Sequence, residues 1–136
     1  MNVIDSSAWL EYFADGPNAE VFAEPIESPE DLVVPANTMY EVFVRVAQQR
    51  GERMALGYVG VLLRSPVVDV TAELAVEAAR LGLRLGLPMV DSLILATARA
   101  HGATLWTQDA DFDGVEGVRY VPAVRPAGGG STSPAR

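Results

Sequence analysis

The sequence contains no cysteine, no lysine and a single histidine, His101. Without cysteine there is no thiol nucleophile, no thiolate-bound zinc and no disulfide framework, and one histidine cannot build a His-rich metal site. Without lysine, a P-loop, a pyridoxal Schiff base and the lysine-assisted phospho-aspartate and haloacid-type phosphatase sites cannot operate in their usual form. The 10 basic residues are all arginine and face 18 Asp and Glu, for a net charge of −8. That balance argues against a general electrostatic grip on nucleic acid or anionic membrane. No run of about 18 apolar residues is present to span a bilayer. The opening MNVIDSSAWLEYF has no basic n-region and meets a charge at Asp5, so a soluble cytoplasmic protein is expected. The side chains left for chemistry are carboxylates, hydroxyls and arginines.

What the 136 residues do have is 49% hydrophobic content, enough for one core and too little chain for two ordinary domains. Short β-branched runs alternate with segments of helical period, the pattern of an α/β domain with a mainly parallel central sheet flanked by helices. Strands are predicted at Asn2 to Ile4, Leu32 to Val34, Val67 to Val70, Thr104 to Trp106 and Arg119 to Val121. Helices are predicted at Ala8 to Phe13, capped by Ser6 or Ser7, and at Asn18 to Ala23. Met39, Val42, Phe43 and Val46, then Ala55, Tyr58, Val59 and Leu62, follow the i, i+3, i+4, i+7 rhythm and predict a helical hairpin over about 38–64. A helix opens at Thr71, and the doubled Arg-Leu-Gly-Leu from Arg80 to Leu87 reads as its fraying end. Pro88 is suited to the first position of the next helix, which stops at His101-Gly102. The stretch 126–136 is Gly, Pro, Ser, Thr, Ala and Arg, and is expected to be a disordered tail behind a domain of residues 1–125.

In a parallel sheet the C-terminal ends of strands and the N-terminal ends of the following helices share one edge, where such folds bind ligands. Asp5 follows the first strand, Glu41 lies early in the helix after the second, Asp91 sits just behind Pro88, and Asp109, Asp111 and Asp113 follow the strand ending at Trp106. Each has a plain structural explanation. Thr38-x-x-Glu41 fits a capping box, Asp91 suits a helix dipole, and Asp5 and Asp109 suit caps or turns. Gathered at one edge, however, such charges repel strongly unless a cation sits among them. Oxygen-only donors select a hard cation, Mg²⁺ or Mn²⁺ rather than zinc. A cluster of that kind can acidify a bound water and stabilise in-line displacement at phosphorus, which points to phosphodiester hydrolysis. Discounting Asp5, Glu41, Asp91, Asp109 and Asp111 takes the net charge from −8 to −3.

Four segments, VIDSSAWLEYF, TMYEVF, GLPMVDSLILATARAHGATLWT and TQDADFDGV, resemble in order and placement the PIN-domain ribonucleases, and within them the VapC toxins of bacterial toxin–antitoxin pairs. The resemblance reaches to about Pro122. It implies a PIN-like α/β fold and a Mg²⁺ site, with Mn²⁺ able to substitute, made by Asp5, Glu41, Asp91 and Asp109, with Asp111 as a helper. Ser6 or Ser7, and Thr107, match positions where relatives place hydroxyls beside the carboxylates. It further implies an endoribonuclease homodimer acting on transfer or ribosomal RNA and restrained by a cognate VapB-type antitoxin. The hairpin, with Phe43, Val44, Met54, Tyr58 and Val61, is the expected clamp for that partner. Two other readings stay open: an interaction module working in an antitoxin-bound repressor complex, and a DNA or flap nuclease.

Overall fold

A computed structural model describes residues 1–124, and the tail expected at 126–136 lies outside them. Strand β1 (Asn2–Ile4) leads to α1 (Ser6–Phe13), α2 (Ala19–Ile26) and β2 (Val34–Pro35). The helices α3 (Ala36–Arg50) and α4 (Glu52–Leu62) form the hairpin, followed by β3 (Val67–Val68), α5 (Ala72–Leu85), α6 (Met89–Ala100), β4 (Thr104–Thr107) and β5 (Val118–Tyr120). All strand pairings are parallel: β1 with β4, β4 with β5, and β2 with β3. A parallel bridge from Asn2 to Leu32 joins the two groups into the order 3-2-1-4-5.

Side chains alternate across a strand, and here neighbouring residues enter different cores. Ile4, Leu32, Val34 and Trp106 pack beneath α1 to α4 with Trp9, Phe22, Val42 and Leu62. Val3, Val33 and Leu105 pack on the opposite face against Ala78, Leu81, Ile94 and Leu95 of α5 and α6. Both faces are covered, which is why the strands read as unbroken apolar runs. Trp9 and Trp106 are core residues.

Several local predictions change. The N-cap of α1 is Asp5, not Ser6 or Ser7, and no side chain caps the helix. Helix α2 runs on to Ile26 and includes Pro25. The second strand proper is Val34–Pro35, because a 3₁₀ turn at Pro29–Asp31 consumes the approach and Leu32 contributes only the bridge. Because β2 passes directly into α3, Thr38 is the third residue of the helix and fully buried. The Thr38–Glu41 capping box therefore does not exist, and Glu41 projects from the second turn. Pro88 is the N-cap of α6 rather than its first residue.

The Arg80 to Leu87 segment does not fray. Helix α5 continues to Leu85 and ends on Gly86, whose φ of 71° is left-handed and suits glycine. Gly82 has a different purpose: a Cβ there would meet Ser92 Oγ at 2.7 Å and the Leu87 carbonyl at 3.3 Å. Its missing side chain lets α5 approach the first turn of α6, where Ser92 donates to the Pro88 carbonyl at 2.8 Å. Gly82→Ala is expected to lose about 1–3 kcal/mol through this overpacking, checked by urea denaturation.

Candidate active site

The strand order reverses between β1 and β4, and both strands end at the same edge. Open parallel sheets form their ligand crevice at such a reversal. Asp5 closes β1 with its backbone N–H donating to the Trp106 carbonyl at 3.0 Å. Asp5 as a whole is only 2% exposed. Two hydroxyls hold it: Ser7 Oγ donates to Oδ2 at 2.9 Å and Thr107 Oγ1 donates to the same oxygen at 2.7 Å. These hydroxyls are themselves fixed, since the Gln108 N–H donates to Ser7 at 3.1 Å and the Asp109 N–H donates to Thr107 at 2.9 Å. The rotation of the Asp5 carboxylate and the start of the loop carrying Asp109 are thus set by one network.

Beyond β4 the chain turns at once. Asp109 caps the 3₁₀ turn Ala110–Phe112 by accepting from the Asp111 N–H at 3.0 Å. The turn-forming role expected of Asp109 is real, and its result is to bring Asp111 alongside. Asp91 enters from the first turn of α6 and is 8% exposed. Carboxylate oxygens of Asp91, Asp109 and Asp111 all lie within 4.8 Å of one another. Glu41, half-buried, stands on α3, which packs against both α1 and α6. Asp5 and Glu41 are not members of the 4.8 Å trio.

At 4.8 Å two ionised carboxylates repel by roughly 3 kcal/mol at an effective dielectric of about 20. Such repulsion is large against a total stability of about 5–15 kcal/mol. A divalent cation offsets it, and the donor set fits: all ligands are oxygen, and no histidine or thiolate competes. Ligands on one Mg²⁺ stand about 2.0–2.1 Å from it and so at most about 4.2 Å apart. Asp111 is exposed and Asp109 half-exposed, so small side-chain rotations close the remaining distance.

Sequence reasoning missed the brace behind this loop. Asn18 Nδ2 donates to Gln108 Oε1 at 2.6 Å and to the Pro122 carbonyl at 2.9 Å, tying the α1–α2 turn to the chain on both sides of the acids. The partners are separated by 90 residues or more, and no local spacing signals them. Among the hydroxyls considered, Ser7 and Thr107 donate to Asp5, whereas Ser6 is not one of its donors among the described residues. Ser7→Ala and Thr107→Val are expected to lower activity at this site about 10- to 100-fold. Ser6→Ala is expected to stay within about twofold of the parent, with initial rates measured under one set of conditions checking all three.

His101 caps the C-terminal end of α6, its Nδ1 2.9 Å from the Thr97 carbonyl, and takes no part in the site.

The family model for the PIN domain matches residues 3–118. Among solved structures, the fold is similar to a toxin–antitoxin complex from Klebsiella pneumoniae at 22% identity and a TM-score of 0.77, covering 91% of this chain and 100% of that one. It is similar to Mycobacterium tuberculosis VapC20, a sarcin–ricin loop cleaving toxin, at 22% identity and a TM-score of 0.72, covering 93% and 100%. It is also similar to VapBC2 from Rickettsia felis bound to a promoter DNA fragment, at 15% identity and a TM-score of 0.68, covering 89% and 97%. At these identities the likeness establishes the fold. No curated protein matches the sequence significantly.

Proposed function

The chain belongs to the PIN domain family, and from that premise we propose that it is a metal-dependent endoribonuclease, the toxin of a type II toxin–antitoxin pair. The observation that carries this reading is the convergence of Asp91, Asp109 and Asp111 within 4.8 Å at the edge where β1 delivers Asp5. Asp5, Glu41, Asp91 and Asp109 would hold Mg²⁺, or Mn²⁺ in its place, with Asp111 assisting. A bound divalent cation supplies neutralisation of the phosphodiester charge and a more acidic water for attack on phosphorus.

The protein's own contribution is positional. Ser7 and Thr107 fix one carboxylate before substrate arrives, and the Asp109–Asp111 turn presents two more from a loop braced by Asn18. Preorganised groups do not have to be arranged at the moment of reaction. Burial of Asp5 and Asp91 keeps bulk water from screening them, so the charge a cation brings acts at short range.

The toxin–antitoxin complexes among the structural neighbours support a VapB-type antitoxin as partner, and the sarcin–ricin loop toxin supports a structured RNA loop, as in ribosomal RNA, as substrate, with transfer RNA the other candidate of this reading. The α3–α4 hairpin adds a cleft lined by Arg50, Arg53, Met54, Gly57, Tyr58 and Val61. Apolar walls with two cations suit an amphipathic antitoxin segment with acidic residues. A cytoplasmic homodimer completes the reading, and none of the described helices is long and apolar enough to cross a membrane.

Paired oligonucleotides of one sequence, as RNA and as DNA, test the substrate class. RNA alone should be cut in Mg²⁺. Cutting of DNA would favour the flap-nuclease reading, and tight antitoxin binding with no cutting of either would favour the interaction module.

A further inference from the structure

Among the described residues, Asn37 alone has two enclosed side-chain polar atoms, Nδ2 and Oδ1, with no hydrogen-bond partner. An amide shut away from water with neither end paired is costly, and in a stable fold it calls for a specific explanation. Helix capping is not one. Asn37 is the second residue of α3, the cap is Pro35, and no side chain caps that end. Core packing is not one either, because an apolar side chain fills the same space without leaving polar atoms unpaired.

The topology places the amide. β1 and β2 run parallel, joined where Asn2 bridges Leu32 and the Val33 N–H donates to the Asn2 carbonyl at 3.0 Å. Carried three residues further, that register sets Asp5 beside Pro35, two residues ahead of Asn37. Glu41 follows Asn37 by four residues, so the two are neighbours on one face of α3. Met39 and Phe43, each two residues further on and so roughly 200° around the helix, pack into the core with Ala55 and Leu62 of α4. The Asn37–Glu41 flank is therefore turned away from that core. Besides α4, α3 packs on α1, β2 and α6, and α6 belongs to the core on the other face of the sheet. Helices on opposite faces meet around a sheet edge, and both of these begin at the edge where β1 ends. The first turns of α3 and α6 thus face each other over Asp5, with Asn37 and Glu41 on one side and Asp91 on the other.

We propose that Asn37 is a positioning residue of the cation site. Its Nδ2 donates to the Glu41 carboxylate and holds it in the orientation a divalent cation requires, while Oδ1 accepts from the water that a hard cation such as Mg²⁺ keeps. A neutral amide does both without adding a further negative charge to Asp5, Glu41, Asp91, Asp109 and Asp111. The proposal rests on the metal-site reading above, and its test does not need turnover.

Mn²⁺ binding to the full-length parent, Asn37→Leu and Asn37→Ala is followed by loss of the free-ion electron paramagnetic resonance signal, and urea denaturation without metal gives their stability. Leucine has the branched shape of asparagine and no polar atom, so metal-free Asn37→Leu should be at least as stable as the parent. Its dissociation constant for Mn²⁺ should nevertheless rise about tenfold or more, the scale of a lost partner to a metal ligand. Asn37→Ala should weaken Mn²⁺ to the same degree, which separates loss of the amide from a change of side-chain size. Parent-like Mn²⁺ affinity in both variants would overturn the proposal and leave the carboxylate site standing. If the parent itself binds no Mn²⁺, the metal-site reading fails and this inference fails with it, so the parent's titration tells the two failures apart.

Discussion

Asp91→Asn is expected to remove the proposed RNA cleavage and, in the absence of metal, to make the protein more stable. The substitution keeps the shape of a side chain that is 8% exposed and changes only its charge and one acceptor. Loss of a carboxylate ligand removes several kcal/mol of charge stabilisation, so at least about a 100-fold fall in rate is expected at roughly 1.4 kcal/mol per tenfold. Stability moves the other way because Asp91 lies within 4.8 Å of both Asp109 and Asp111, and neutralising it removes two repulsions at once. The exposed Asp111 is screened by solvent, so the net gain is about 1 kcal/mol, or about 4 °C in Tm. Adding Mg²⁺ should raise the Tm of the parent by binding the folded state and leave that of Asp91→Asn nearly unchanged. Differential scanning fluorimetry with and without EDTA, alongside the cleavage assay, separates these effects.

Asp5→Ala should also abolish cleavage, yet with the opposite effect on stability. The Asp5 carboxylate accepts from Ser7 and Thr107 in a buried network, and truncation leaves two enclosed hydroxyls without their acceptor. A buried polar group stripped of its partner costs about 1–3 kcal/mol, and here two hydroxyls lose the acceptor they share. Urea denaturation should show a loss of about 2 kcal/mol or more. Two acids of one site thus separate into one whose charge is a burden to the metal-free fold and one whose hydrogen bonds help build it. Equal stability changes in the two variants would contradict that division.

The convergence of Asp91, Asp109 and Asp111 was legible in the sequence because a parallel sheet converts chain position into spatial position: a carboxylate after a strand or early in the next helix arrives at one edge. The helices were legible for a similar reason, their apolar stripes at i, i+3 and i+4 being local. Boundaries were less so. Thr38-x-x-Glu41 has the letters of a capping box, but the box requires a helix that begins at Thr38, and pairing of Val34 and Pro35 with Val67 and Val68 starts it two residues earlier. The Arg80 to Leu87 segment misled because Gly82 is a poor helix former in isolation, while its close approach to Ser92 is a tertiary contact. Least legible was the network that orients the acids. Ser7 and Thr107 are 100 residues apart, and nothing in the sequence says that Ser7 rather than Ser6 faces the neighbouring strand.

The measurement that bears most directly on the central claim is cleavage of total RNA by the purified protein in Mg²⁺, in Mn²⁺ and in EDTA, with Asp91→Asn run in parallel. Discrete fragments from the parent in either metal, none in EDTA and none from Asp91→Asn, is the result expected of a carboxylate-held metal nuclease. Fragments that persist in EDTA, or that Asp91→Asn produces at the parent's rate while circular dichroism shows both folded, would contradict it.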